Sequence, residues 1–338
     1  MLSGVAAGLH TAGGTVIFRL HQALARARRG DIEAARADYA AALAQVRGDG
    51  VPVFLHLQML APLGEPVVAE FRREALRQGA DVSRAYAVAG VPVPTALREY
   101  RQLFAEGTAN ARMLTHYARL LSRAGEAAAL QSLMNVPELL EISRPAGADV
   151  QALRNWFLQH LHLAEPLDRR LAAVATRRFA DLSQFAEPLL ADLRAMLTRE
   201  VRRYLERISA SLSDHPMRRW LPQDFTLEIF AHHSDGTGHH LPHTHSRGWI
   251  TGVYYLACDF GPEAAADVGA LHLCPDPLGD VACTGWPQHL IPAEAGKLLL
   301  MPSYYTHRTD PAGRSGTRLA VPFDVVDVRS AAGESEAA

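Results

Sequence analysis

The chain has 338 residues, 48% of them hydrophobic and 21% charged, with a formal net charge of −2. That length exceeds what one core usually serves and predicts two domains, while the near-neutral balance excludes the charge surplus that marks nucleic-acid binders and proteins held on anionic membranes. Three cysteines, Cys258, Cys274 and Cys283, form no C-x-x-C pair; so sparse and odd a count predicts no disulfide framework and a reduced cytoplasm.

The first residues, MLSGVAAGLHTAGGTVIF, lack the basic start of a secretory signal. No apolar run approaches the roughly 20 residues of a membrane span. Residues 1–185 read as a helical domain rich in Ala, Leu and Arg. The segment 30–45 sets Ile32, Ala35, Tyr39, Ala42 and Leu43 on one helical face, and 114–132 repeats the idea with Leu120, Leu121, Ala128 and Leu130. Gly-turn-helix units with small residues and a Tyr resemble the helix pairs of tetratricopeptide repeats, although no full signature recurs at a fixed period. A long amphipathic helix follows over 186–212, expected to pack on the domain after it. Leu189, Leu193, Leu197, Val201, Tyr204 and Ile208 form its stripe, and Arg194, Arg199, Arg202 and Arg203 a face expected to be solvated.

Near residue 213 the pattern changes. FTLEIFAHH, WITGVYYLACDF, GALHLCP, KLLLMPSYY and TRLAVPFDVVDV are short, β-rich and separated by turn residues. Strands without intervening helices predict a sandwich or barrel over 213–329. Residues 330–338 are small and polar and predict a disordered tail. The expected fold class is therefore α+β and multidomain, with an N-terminal α-helical repeat-like domain before an all-β domain.

Ten of the sixteen histidines fall between His215 and His307. His243 and His245 stand at i and i+2, so in extended backbone both imidazoles aim at one point. His307, at the end of a later apolar strand, can complete a triangle. Three convergent neutral imidazoles are a first set of ligands for a divalent transition metal with positions left open, and spacing alone admits iron, zinc or copper. His232, His233, His239 and His240 read as polar or supporting groups. Arg318 opens the strand TRLAVPFDV, in which Leu319, Val321, Phe323 and Val325 alternate with Arg318, Ala320, Pro322 and Asp324. The second face is small beside the arginine and leaves room for an anion, for which a carboxylate is the two-point match. Arg314 is a competitor that sits in a turn. If pairing continues from the H-x-H, Tyr255 shares its face, and its phenol could reach a cofactor carboxylate or serve as core.

These motifs run in the order Pro-His-x-His, Trp-x-x-Gly-Val-Tyr-Tyr, Gly before a Leu-rich strand, Pro-Ser-x-x-x-His, and Arg before Phe-Asp-Val. So ordered, residues 215–328 resemble the iron(II)/2-oxoglutarate-dependent oxygenases that carry N-terminal tetratricopeptide-like helices. The resemblance implies a double-stranded β-helix (a jelly-roll, cupin-like fold) and Fe(II) at His243, His245 and His307. It also implies 2-oxoglutarate on Arg318 with help from Tyr255. The usual facial triad is two His and one carboxylate; here His245 takes the acidic place, or stands behind the metal with water or Asp235 in its stead. The implied activity is dioxygenase hydroxylation with release of succinate and CO2. A peptide or protein side chain is the expected substrate, because helical repeats form concave surfaces; a free amino acid or small molecule is the alternative. No nucleic acid or membrane partner is expected. One rival is a cupin-like metalloprotein without 2-oxoglutarate, since Gly296, Pro302 and His307 fit the second cupin motif; it lacks the expected Glu across Ser246–Ile250 and leaves Arg318 unexplained. Another is a non-enzymatic, zinc-stabilised interaction protein.

Overall fold

A computed structural model describes residues 12–43, 92–167, 173–212, 215–245, 248–261, 265, 267–274, 286–313 and 316–327. The expected tail, Arg314 and Cys283 lie outside them. The chain divides into two compact units, Met1–Gly125 and Glu126–Ala338.

In the first unit, α1 (Ala12–Arg28) and α2 (Ile32–Leu43) form a pair. Leu20, Ala23, Leu24 and Ala27 are buried on one helix, and Ala35, Tyr39 and Ala42 on the other. Small residues let two backbones approach, and Gly30, at φ 84°, makes the reversal that a side chain would strain. A second pair, α3 (Val93–Ala105) and α4 (Ala111–Arg123), closes on a ring cluster in which Phe104 meets Tyr117 edge-on at 5.1 Å. Asn110 caps α4 by accepting the Met113 N–H at 2.9 Å. Residues 44–91, where further members of a repeat would fall, are outside the described set.

The second unit starts with α5 (Ala127–Met134) and α6 (Val136–Leu139), then β1 (Glu141–Ser143), α7 (Val150–Gln159), β2 (Glu165–Pro166), β3 (Ala173–Phe179) and α8 (Pro188–Ser211). Eight strands follow: β4 (Phe225–Ile229), β5 (Ala231–His240), β6 (Ile250–Asp259), β7 (Leu271–Leu273), β8 (His289–Ile291), β9 (Leu298–Pro302), β10 (His307–Thr309) and β11 (Thr317–Asp327). A large antiparallel sheet runs β1-β9-β6-β11-β5-β3-β2, with β4 also on β11; a small one runs β10-β7-β8. The helical stretch expected to reach residue 185 is thus interrupted by three strands of the large sheet. They escape local reading because β1 and β2 are two or three residues long and β3 finds its partner, β5, about sixty residues later.

Central in the sheet is β11. It pairs along one side with β6, and along the other with β5 and then β4. Its Leu319, Val321, Phe323 and Val325 are fully buried, as the alternation predicts. The arginine face of α8 is exposed, as expected, and also makes contacts: Arg203 and Arg207 grip Glu141 at 2.7 and 2.9 Å, and Arg199 donates to the Ala146 carbonyl at 2.7 Å. Tyr204, on the apolar stripe, donates to the Leu139 carbonyl at 2.6 Å, so both faces hold the segment that carries β1.

Gly252 of β6 lies opposite Phe323, and a Cβ there would run into the Phe323 ring. Gly252→Ala should therefore lower unfolding stability by about 1–3 kcal/mol through overpacking, read as a fall in the denaturant midpoint with an unchanged slope.

Candidate active site

Three elements bring the histidines together. A two-bond backbone bridge, His243 N to His307 O at 3.0 Å and His307 N to His243 O at 2.9 Å, ties the 243 segment to β10. Residues paired this way project side chains to the same side. His245 N donates to the Ser303 carbonyl at 3.2 Å. Just before His307, Tyr304 donates to the Leu133 carbonyl at 2.7 Å and Tyr305 donates to that of Met134, so α5 seats the turn that delivers this imidazole. Ring centroids are 5.3 Å apart for His243 and His245, 4.3 Å for His243 and His307, and 5.1 Å for His245 and His307. One ring nitrogen of each lies within 4.8 Å of the other two.

Hydrogen bonding decides which nitrogen that is. His243 Nδ1 donates to the Leu241 carbonyl at 2.7 Å, and His307 Nδ1 to that of Tyr305 at 3.1 Å. His245 Nδ1 donates to Asp324 Oδ1 at 2.7 Å. Carbonyls and carboxylates only accept, so each Nδ1 carries the proton and each Nε2 keeps a bare lone pair. Asp324 also accepts from Thr251 Oγ1 at 2.9 Å, and Thr251 meets Ser303 at 2.8 Å. Burial alone would raise the Asp324 carboxyl, but the His245 imidazole and the hydrogen bonds from His245 and Thr251 hold it below its ordinary value, so it stays ionised. Sequence reading placed Asp324 on the small face without a role. Asp235, the acid considered as a substitute ligand, is two-thirds exposed and near His233 and Thr317, away from the three rings.

The histidines open into a cavity of about 370 Å³ between the two sheets, lined also by Tyr255, Arg318, Ala320 and Pro322. Arg318 is 3% exposed. Its Nη1 donates to the Gly269 and Asp310 carbonyls at 2.9 and 3.1 Å, and its Nη2 to Thr309 Oγ1 at 2.8 Å. Nε takes no partner among the described residues, so the fork is braced and still has a donor to give. The Tyr255 hydroxyl is buried without a partner. A bulge in β6 lets Tyr255 and Cys258 stand opposite Ala320 and Arg318, and so brings phenol and guanidinium into one wall. All five residues expected at the site therefore line one cavity or its edge. His232 and His240 join them, stacked at 4.9 Å, whereas His233 pairs with Asp235 and the half-buried His239 lies outside the lining. A wider groove of about 1000 Å³ along the start of α8 holds no cluster of ligating side chains among the described residues.

Burial disfavours the charged form of His232, His240, His243 and His307. Burial, then Arg178 and the neighbouring histidines, pushes His232 down to about 3; burial, then His245, pushes His243 down to about 4. An unfolded chain would protonate both near 6.5. Between these values the unfolded state binds more protons, so the metal-free fold should lose stability as the pH falls from 7 toward 4. Urea midpoints across that range should decline, and His232→Gln should flatten the decline; a flat wild-type profile would contradict the burial argument.

Residues 229–324 match the family described as "Putative 2OG-Fe(II) oxygenase". No curated protein matches the sequence. Among solved structures, a Pseudomonas putida prolyl-4-hydroxylase is similar at 16% identity and a TM-score of 0.41, over 60% of this chain and 98% of that one. A Trichoplax adhaerens prolyl hydroxylase, in complex with a hypoxia inducible factor peptide fragment, is similar at 15% identity and a TM-score of 0.40, over 62% and 94%. HygX from Streptomyces hygroscopicus, with nickel and 2-oxoglutarate bound, gives 14%, a TM-score of 0.39, and coverage of 59% and 87%. The residues present suit the family's cofactors, ferrous iron and 2-oxoglutarate: three bare nitrogens converge for a metal, and a braced arginine with an unpartnered phenol waits for a carboxylate. The segment 229–324, which supplies most of that cavity's lining, is similar to the 2OG-Fe(II) oxygenase family.

Proposed function

We propose that this chain is a Fe(II)/2-oxoglutarate-dependent dioxygenase that hydroxylates an amino-acid side chain of a peptide or protein, on a double-stranded β-helix preceded by tetratricopeptide-like helices. The observation that carries the reading is the union, in one cavity, of three bare imidazole nitrogens with the braced guanidinium of Arg318. His243, His245 and His307 would hold the iron, and Arg318 and Tyr255 the far carboxylate of 2-oxoglutarate. When bound, this pair supplies the oxidation of a C–H bond by O2, with 2-oxoglutarate leaving as succinate and CO2.

The chain's own residues do the rest. Asp324 locks the His245 tautomer and sets its negative charge directly behind the ring, where the usual triad would put a carboxylate on the metal itself. Val253, Leu271 and Pro322 give the cavity apolar walls that keep water from the reacting carbon. A purely structural zinc site would be closed by a fourth protein ligand, and an open cavity beside three nitrogens weighs against it. A cupin without 2-oxoglutarate leaves the buried Arg318 without a task. The peptide part of the reading rests on the paired helices of the first unit; a free amino acid or small molecule is the other substrate class. Among the described residues no helix is long and apolar enough to cross a membrane, and Cys258 and Cys274 are free thiols, which supports a reducing compartment such as the cytoplasm.

Anaerobic addition of Fe(II) and 2-oxoglutarate should produce the weak visible absorption of the chelate. His307→Ala should abolish it. Arg318→Ala should keep the metal and raise the 2-oxoglutarate Kd by about tenfold or more. No absorption, and no succinate from a screen of peptides and amino acids, would sink the oxygenase reading. Asp324→Ala should weaken metal binding by about 10- to 100-fold, measured by competition with a chelating dye.

A further inference from the structure

Arg178 of β3 is a second cation in the wall of the same cavity, and the oxygenase chemistry gives it no work. Its Cα partner across the sheet is His232, whose partner on β11 is Ala320, whose partner on β6 is Tyr255. Partners in antiparallel strands share a face, so this row runs along the cavity wall with Arg178 at one flank and Tyr255 at the other, about 14 Å apart for three strand spacings. The Arg178 guanidinium lies over the Phe230 ring, 4.0 Å from its centroid. Phe230 in turn donates its backbone N–H to Pro322, which is four residues along β11 from Arg318, or about 13 Å. Arg318 donates instead to Gly269, Thr309 and Asp310. The two guanidinium groups therefore stand on different strands of the wall with different neighbours.

Arg178 is half-buried, its Nε is sealed from solvent with no partner, and it forms no ion pair with another described residue. Two carboxylates act on it from the cavity wall: Asp324, committed to His245 and Thr251, and Glu228. Opposite Arg178 on β5, His232 buries an Nε2 without a partner; it stacks on His240, whose Nε2 is likewise unpartnered and which leads on to His243 at 5.8 Å. An orphaned guanidinium N–H and two orphaned imidazole nitrogens are costly unless a ligand satisfies them. A guanidinium held flat on an aromatic ring keeps its edge free for a two-point acceptor.

We propose that Arg178, seated on Phe230, binds a carboxylate of the substrate at the β3 flank of the cavity, with His232 as a hydrogen-bonding partner beside it. The inference rests on the oxygenase reading and narrows its substrate to an acid. That carboxylate is either the side chain of an acidic residue in a peptide or the α-carboxylate of a free amino acid. The cavity of the three histidines would then hold two carboxylate anchors, one for the co-substrate and one for the substrate.

The test is calorimetric titration of the full chain, loaded with Zn(II) and saturating 2-oxoglutarate so that nothing turns over. Two probe sets are compared: hexapeptide pools with a central Asp or Glu against the same pools with Asn or Gln, and free amino acids against their amides. In one set the acids should bind about 10- to 100-fold tighter than the amides, and the set that does so identifies the source of the carboxylate. Arg178→Gln should erase that preference and leave the 2-oxoglutarate Kd unchanged. Arg178→Lys keeps the charge without the fork, should retain part of the preference, and guards against misfolding of the first variant. Wild-type protein that binds 2-oxoglutarate but prefers no acid would overturn the proposal, as would an Arg178→Gln variant that loses 2-oxoglutarate instead. Failure of the metal-loaded wild type to bind 2-oxoglutarate at all would remove the oxygenase reading itself, and the proposal with it.

Discussion

The period of two along β11 is the constraint on which this β unit is built. Leu319, Val321, Phe323 and Val325 are sealed on one side of the strand, and Arg318, Ala320, Pro322 and Asp324 line the cavity on the other. A shift of one residue would drive an arginine and a carboxylate into the core and turn a leucine, a phenylalanine and two valines into the cavity. The core thus sets the chemistry of the site at no separate cost: burying Phe323 places Asp324, and burying Leu319 places Arg318. Register with β5 and β6 then spreads the order sideways, so that His232 and Tyr255 stand in the same row as Ala320.

Much of this was legible in the sequence, because alternation and H-x-H spacing are local. The two faces of β11, the convergence of His243, His245 and His307, and the placement of Arg318 and Tyr255 could all be read from runs of ten residues. What stayed hidden depends on partners far along the chain. Asp324 looks like any polar residue in an edge pattern until the fold brings His245, seventy-nine positions earlier, against it. His232 and His240 resemble their neighbour His239 until strand pairing turns them into the cavity. The strands within 141–179 are too short, and too distant from their mates, to show in composition. The arginine row of α8 reads as a solvated face and is exposed, but nothing local announces that Glu141 pairs with it.

Electrostatically the cavity is unusual in using imidazole almost everywhere and charge sparingly. Five histidines face or border it, and burial keeps each of the four that shift well on the neutral side. Neutral rings can donate and accept without repelling one another, which allows a close stack of His232, His240 and His243 that protonated rings would break. Fixed charge is confined to Asp324, Arg318, Arg178 and Glu228 along the walls. The field inside is then shaped by a few groups on rigid strands rather than by mobile side chains on loops.

The hydroxyl anchors of Tyr304 and Tyr305 have a meaning for heredity as well as for geometry. They end on carbonyls of Leu133 and Met134, so the turn before His307 is seated by a helix encoded more than 160 positions upstream. A recombination event near residue 213, where the composition changes, would separate the turn from its seat and strip β1, β2 and β3 from the sheet. One near residue 125 would sever neither. The natural module of exchange in this lineage is therefore larger than its β-rich stretch, and shuffling that preserves the cavity must carry residues 126–212 along with it.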